Sequence, residues 1–158
     1  MNRVEEIAAL LQERHLTLGT AESCTGGRIA HLITSYAGSS SYFKGGVVWY
    51  LNEIKDGVVG VWEEGMGGMG AGSEPGGGQM GKGAIRVLNC DCAVATSGIA
   101  GPGGAVPGKP VGTVWIAAAY KDKIISRCFH FPSDRIGNIE ASAEMALELL
   151  WKIITPSQ

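Results

Sequence analysis

The feature that most constrains the fold is a strand pattern followed at once by a Gly pair and a helix pattern, over residues 16–36. The segment LTLGTAES (16–23) has the composition of a short strand, and TGGRIAHLITSY (25–36) carries apolar residues at helical spacing. A strand, a short polar turn and a helix form the first half of an α/β layer. We therefore expect an α/β protein in which Thr25 caps the second helix.

The rest of the chain supplies further strands and helices. Helical spacing predicts an amphipathic first helix over 3–14 and a long closing helix over 136–154. Strands are predicted at 41–50, where the Gly pair indicates a bulge or a close backbone approach, and at 91–97. The segments VGTVWIAAAY and KIISRCFHF are two more strands, joined as a hairpin by Lys121-Asp122. The pattern predicts a single α/β domain over residues 1–158, with a mixed sheet flanked by helices.

One segment does not fit this pattern. Residues 65–83 contain ten glycines, and each glycine in a helix interior costs about 1 kcal/mol relative to alanine. Ser73 and Pro75 look like a helix start, but a poor helix follows them. Two interpretations remain open: a mobile loop within the domain, or an altered version of a helix.

Composition excludes several classes of protein. The chain is 45% hydrophobic and 18% charged, with a formal net charge of -2, so it has material for a core but no basic stripe for nucleic acid. No apolar run approaches the roughly 20 residues of a membrane helix, and the N-terminus lacks the pattern of a signal peptide. We expect a cytoplasmic protein without a membrane or nucleic-acid partner, whose cysteines are thiols and which holds no metal.

The turn after the first strand offers two candidate nucleophiles, Ser23 and Cys24. At a strand-to-helix turn a side chain lies beside free N–H groups, which can hold a phosphate or a developing oxyanion. Gly26 and Gly27 would let a ligand approach the backbone closely. The simplest alternative is that Ser23 and Thr25 only cap the helix, which is the commonest role of such residues.

A serine nucleophile needs a base, and the three histidines do not lie in Gly-rich loops. A lysine can act as the base when burial or nearby positive charge lowers its pKa. The candidate is Lys55 in WYLNEIK, although composition alone does not rank it above Lys44 or Lys109. A second Gly-rich stretch, SGIAGPGG (97–104), follows a strand, where α/β proteins place ligand loops; a plain connector is the alternative.

The blocks AESCTGG, YFKGGVVWYLNEIK, SGIAGPGG and KPVGTVWIA resemble, in this order, the signature blocks of the CinA C-terminal domain family. The resemblance covers nearly the whole chain and implies a three-layer α/β/α fold. The family includes stand-alone deamidases of nicotinamide mononucleotide, which release nicotinate mononucleotide and ammonia without a metal or cofactor. It therefore implies a Ser/Lys amidohydrolase in pyridine nucleotide recycling and favours a homo-oligomer.

The resemblance also implies roles for individual residues. Ser23 corresponds to the nucleophile, Lys55 to the base, and Tyr50 to a residue that orients or relays the lysine's proton. The family's arginine near the start of the last helix corresponds to Arg135 in SDRIGN. The predicted substrate-binding residues are Thr25, Gly26, Gly27, Gly46, Ser97, Gly98, Ala100, Gly101 and Arg135.

Three departures from the family pattern bear on activity. The family usually has Thr at the position of Ser97, often has another basic residue in the stretch occupied by 137–140, and has an ordinary helix in place of 65–83. Two alternatives to the deamidase therefore stay open. One is a non-catalytic nucleotide-binding or regulatory domain linked to competence or DNA damage, and the other is an amidase for another small amide.

Overall fold

The computed structural model describes residues 2–50 and 88–156. The predictions for Lys55 and for the Gly-rich segment 65–83 lie outside these residues. In chain order the elements are α1 (Arg3–Arg14), β1 (Leu18–Glu22), α2 (Arg28–Thr34), a 3-10 turn (Ser39–Ser41), β2 (Phe43–Val48), β3 (Cys92–Gly98), β4 (Thr113–Tyr120), β5 (Lys123–His130) and α3 (Arg135–Ile154).

The five described strands form one mixed sheet in the order β2-β1-β3-β4-β5. Strand β1 runs parallel to both β2 and β3, while β4 and β5 are antiparallel additions. The predicted mixed sheet is therefore confirmed. Because β1, β2 and β3 are parallel, their carboxyl ends meet at one edge, which is where open α/β sheets bind ligands.

Side-chain alternation along the strands gives the sheet two buried faces. On one face, residues such as Leu18 and Val94 join a core cluster with all three described helices. On the other face, Ala21, Ala93 and Ala95 pack around Trp49, and each of these is at most 1% exposed. Both faces are buried, and the three described helices all pack on the first. Each fully buried large aliphatic side chain stabilises the fold by about 1.5–3 kcal/mol.

The two long helices have boundaries that side-chain caps explain. Helix α1 begins after Asn2, whose side chain accepts the Glu5 N–H, and ends before His15, which has a left-handed conformation, so its bounds match the predicted range 3–14. Helix α3 begins one residue before the predicted start, because the Asp134 side chain accepts the Gly137 N–H and so acts as its cap.

The bulge predicted at the Gly pair in β2 is confirmed, and the close approach there is made by a side chain. The register with β1 slips so that Leu18 pairs with Phe43 and Gly19 with Gly45, which makes Lys44 the extra residue of a bulge. Gly46 provides the close approach, since a Cβ there would lie 2.1 Å from the Thr20 Oγ1 atom.

Candidate active site

Ser23 directly follows β1, at the edge of the sheet where the parallel strands end. Its N–H donates to the Thr96 Oγ1 atom on β3 at 3.5 Å, and its carbonyl oxygen accepts the Gly26 N–H at 3.0 Å. The residue is 5% exposed. The candidate nucleophile therefore lies on a turn that the neighbouring strand holds in place.

The turn from Ser23 to helix α2 differs from the prediction. The helix begins at Arg28 rather than at residue 25, and its N-cap is Gly27, which has a φ of 103° and makes no side-chain cap bond. A left-handed conformation of this kind favours glycine, which explains Gly27 at this point. The prediction that Thr25 caps the helix is wrong, because the Thr25 hydroxyl is used elsewhere.

The buried Glu22 carboxylate caps helix α2, the role that the sequence predicted for Thr25. Its Oε1 atom accepts the Thr25 hydroxyl at 2.7 Å and the Ile29 N–H at 2.9 Å, and its Oε2 atom accepts the Ala30 N–H at 3.0 Å. The Thr25 hydroxyl also contacts that of Thr96 at 2.7 Å. Glu22 thus satisfies the first amides of α2, where a negative charge is favourable.

Two amides of the turn, called here the open amides, have no hydrogen-bond acceptor among residues 2–50 and 88–156. The Gly26 N–H binds the Ser23 carbonyl oxygen, and the Arg28 N–H binds that of Thr25 at 3.0 Å. The amides of Thr25 and Gly27 donate to no acceptor within the described part of the chain. Of the predicted Thr25-Gly26-Gly27 donors of an oxyanion hole, the Gly26 amide is therefore already used by the Ser23 carbonyl oxygen.

Tyr50 lies close to the Ser23 turn, at the end of β2. The preceding Trp49 N–H donates to the Glu22 carbonyl oxygen at 3.0 Å, which joins the two strand ends. The Tyr50 side chain is 53% exposed, and its hydroxyl oxygen accepts a hydrogen bond from Arg135 Nη2 at 2.6 Å. Tyr50 and Arg135 are thus brought together, next to the turn that carries Ser23.

The loop after β3 is held against the start of α3. Arg135 Nη1 donates to the Gly101 carbonyl oxygen at 2.6 Å, and Asn138 Nδ2 donates to that of Ala100 at 2.9 Å. Asn138 is fully buried, and its side-chain oxygen accepts the Ser133 N–H at 3.0 Å. These bonds place Ala100 and Gly101 at the same edge as Ser23.

Three predicted substrate-binding residues, Gly46, Gly98 and Ser97, pack against neighbouring strands of the sheet. Gly46 lies within β2 beside Thr20, away from the strand end, so its glycine is explained by packing. Gly98 is the last residue of β3, where a Cβ would lie 2.3 Å from the Thr113 carbonyl oxygen. Ser97 is 2% exposed and pairs with Trp115 on β4. Of these, only Ser97 and Gly98 are at the carboxyl end of their strand.

Three of the four cysteines, Cys24, Cys90 and Cys92, are buried thiols, and Cys128 is partly exposed. All four lie in the described ranges and none forms a disulfide; Cys24 is 6% exposed. Burial, followed by the Asp91 charge, raises the pKa of the Cys90 thiol to about 11, and burial also raises the pKa of Cys92. Thiols with raised pKa values are poor nucleophiles at neutral pH.

Sequence reasoning missed Glu22, Thr96 and Asn138. The available signal for Glu22 was an acidic residue at the end of an apolar strand, just before a helix, where its charge suits the helix dipole. Asn138 was noted only as a departure from the family pattern, whereas it holds the Ala100 carbonyl oxygen. Nothing local in the sequence indicates the partner of Thr96.

Two features are absent from residues 2–50 and 88–156. These residues contain no group of three or more His, Cys, Asp or Glu side chains placed to hold a metal ion. Their helices are also too short or too polar to cross a bilayer.

Comparison with known sequences identifies the family. The model of the CinA C-terminal domain matches residues 2–154. Nicotinamide-nucleotide amidohydrolase PncC of Escherichia coli strain K12 is 44% identical over 96% of this chain and 93% of that protein. A CinA-like protein of Chloroherpeton thalassium is also 44% identical, over 97% of this chain, but the match spans only 37% of that longer protein.

Solved structures agree with the sequence match. The competence damage-inducible protein A of Klebsiella pneumoniae is 32% identical with a TM-score of 0.91, covering 99% of this chain and 97% of its own. The competence/damage inducible protein CihA of Agrobacterium tumefaciens is 35% identical with a TM-score of 0.86, covering 98% of each chain. The family match and these structural likenesses establish that the chain belongs to the CinA C-terminal domain family.

Proposed function

We propose that this chain is an amidohydrolase that converts nicotinamide mononucleotide to nicotinate mononucleotide and ammonia in pyridine nucleotide recycling. Its similarity to proteins named nicotinamide-nucleotide amidohydrolase over 96% of its length supports this activity. The structural observation that carries the proposal is the convergence of the Ser23 turn, Tyr50 and Arg135 at the carboxyl edge of the parallel strands.

In the proposed mechanism, the Ser23 Oγ atom attacks the carboxamide carbon while neutral Lys55 takes its proton. The carbonyl oxygen becomes an oxyanion, which the open amides of Thr25 and Gly27 stabilise. The intermediate collapses, the C–N bond breaks, and ammonia leaves with the proton returned by Lys55. Water then hydrolyses the ester to the carboxylate and restores the serine. Tyr50 orients Lys55 in this scheme.

The substrate phosphate needs charged donors at a distance from Ser23. Arg135 is the proposed residue, because a guanidinium has further N–H donors beyond its bonds to Tyr50 and Gly101. The loop after β3, including Ser97, Gly98 and Ala100, forms the adjoining wall of the site in this proposal. The amides of Ile29 and Ala30 at the start of α2 already donate to Glu22, so they are not used for the phosphate. The phosphate is therefore proposed to bind on the Arg135 side of the site.

Further properties belong to the same proposal. The chain acts as a single domain over 1–158, on a small nucleotide, without a metal or cofactor and without nucleic-acid or membrane partners. It works in the cytoplasm as a homo-oligomer. Sedimentation of the purified protein tests the last statement, because a monomer at the concentrations used for activity would contradict it.

The test of the activity is release of ammonia and nicotinate mononucleotide from nicotinamide mononucleotide by the purified chain. We expect turnover by the wild type and its loss in Ser23→Ala. Nicotinamide and nicotinamide riboside serve as comparison substrates, because they lack the phosphate that Arg135 is proposed to bind. Binding of the mononucleotide without any turnover by the wild type would contradict the enzyme and leave a nucleotide-binding domain.

A further inference from the structure

Glu22 is a buried carboxylate for which the proposed mechanism has no use. It is fully buried, and no lysine or arginine within residues 2–50 and 88–156 forms an ion pair with it. Its partners are instead the Thr25 hydroxyl and the amides of Ile29 and Ala30, all between 2.7 and 3.0 Å. Hydrogen bonds to an ionised group are about twice as strong as neutral ones. Glu22 therefore fixes both the middle of the turn and the helix that follows it.

The carboxylate also sets the direction of the neighbouring hydrogen bonds. A carboxylate only accepts, so the Thr25 hydroxyl gives its one proton to Glu22. In the 2.7 Å contact between Thr25 and Thr96, the donor must then be Thr96. The Thr96 oxygen is left to accept the Ser23 N–H. One ordered chain of hydrogen bonds thus connects the Glu22 carboxylate to the backbone of the candidate nucleophile.

We propose that Glu22 is a positioning residue, which holds Ser23 and the open amides of Thr25 and Gly27 in the geometry that the reaction needs. The inference rests on the proposed function. Small displacements of a nucleophile or an oxyanion donor have large effects on rate, because their contribution comes from alignment with the reacting atoms. Glu22 contacts neither atom of the scissile bond in this account, so its effect is on kcat through Ser23 and not on substrate affinity.

The experiment compares wild type, Glu22→Gln and Asn2→Ala in steady-state deamidation of nicotinamide mononucleotide, with melting temperatures measured in parallel. Glutamine has the size of glutamate, but it places an N–H donor against groups that already donate. Asn2→Ala is the matched control, since the Asn2 side chain accepts the Glu5 amide at 3.0 Å and caps α1. Both variants weaken the N-terminus of a helix, and only Glu22→Gln disturbs the Ser23 turn.

For Glu22→Gln we expect kcat and kcat/KM to fall together by about tenfold or more, with KM within about threefold of wild type. Asn2→Ala should lower the melting temperature and leave kcat unchanged. If Glu22→Gln is unfolded at the assay temperature, Glu22→Asp replaces it. Aspartate keeps the charge but is one methylene too short to reach Thr25 and both amides, so the same fall in kcat is expected.

Three results would overturn the inference. The first is a folded Glu22→Gln, or the substitute Glu22→Asp, with the kcat of wild type. The second is a fall in kcat that Asn2→Ala reproduces at equal loss of melting temperature, because the role would then be purely structural. The third is absence of turnover in the wild type, which removes the proposed function itself. Wild-type turnover together with an unaffected Glu22 variant overturns only the positioning role.

Discussion

The Arg135 guanidinium donates to the Tyr50 hydroxyl oxygen across 2.6 Å, although the two residues are 85 positions apart in the sequence. The same side chain donates to the Gly101 carbonyl oxygen. The start of α3 thereby joins the end of β2 to the loop after β3. In the proposed enzyme this one residue both shapes the wall of the site and binds the substrate phosphate.

Replacing Arg135 with lysine should weaken substrate binding. A lysine carries its three donors on one nitrogen, so it cannot reproduce the two directed bonds of the planar guanidinium while also contacting a phosphate. We expect Arg135→Lys to raise the KM for nicotinamide mononucleotide about tenfold, or ~1.4 kcal/mol, with a smaller effect on kcat. Steady-state kinetics measure this, and Arg127→Lys on β5 is the matched control. An unchanged KM would count against the phosphate role of Arg135.

Cys24 should be dispensable for catalysis, although it is adjacent to Ser23. It is 6% exposed and belongs to the core cluster of the helix-covered face, which indicates packing. We expect Cys24→Ala to keep kcat within about threefold of wild type, because the substitution removes a packing contact of the core and no reacting group. Steady-state ammonia release checks this. Loss of turnover in a folded Cys24→Ala, with Ser23→Ala still active, would assign the nucleophile to the thiol.

The hydroxyl of Thr96 should contribute to stability. Thr96→Val keeps the shape of the side chain but removes the acceptor of the Ser23 amide and the second hydrogen bond of the Thr25 hydroxyl, which keeps its bond to Glu22. Leaving buried polar groups unpaired costs about 1–3 kcal/mol, and urea unfolding of wild type and variant measures the difference. Thr96→Ser retains the hydroxyl and is the control. A valine variant as stable as the serine variant would show that these hydrogen bonds contribute little.

The buried thiols predict a loss of stability at alkaline pH. Burial raises the pKa of Cys90 from 9.0 to about 11 in the folded protein. Above pH 9 the unfolded state therefore releases this proton while the folded state keeps it, so the free energy of unfolding decreases as pH rises from 9 to 11. Cys90→Ala should flatten the fall in melting temperature over that range. Identical slopes for the two proteins would contradict the assignment to Cys90.

The sequence predicted helices and strands well where the spacing of apolar residues and the capping or turn residues at their ends indicate the same element. Helix α1 has helical spacing together with an Asn2 cap, and the Lys121-Asp122 turn joins the antiparallel strands β4 and β5. The start of α2 was missed because it depends on the Glu22 carboxylate, which reaches the helix only after the chain folds back. The statistical preference for threonine caps was overridden by that stronger acceptor.

The candidate site residues were predicted on a different basis. Ser23, Tyr50 and Arg135 were grouped through resemblance to a family, since no spacing along the chain indicates that they meet. The resemblance also grouped Gly46 with them. A glycine is needed there because the Thr20 side chain on the neighbouring strand leaves no room for a Cβ, and sequence alone does not reveal this contact. Asn138 was missed because its buried bond to Ala100 depends on how α3 docks on the loop.

The most direct test of the central claim is to identify the atom that carries the acyl group during turnover. The protein is mixed with nicotinamide mononucleotide, quenched in acid within one turnover, digested and examined by mass spectrometry. We predict an ester on Ser23 that is absent in Ser23→Ala and retained in Cys24→Ala. An adduct on Cys24, or turnover that persists in Ser23→Ala, would contradict the assignment of Ser23 as the nucleophile.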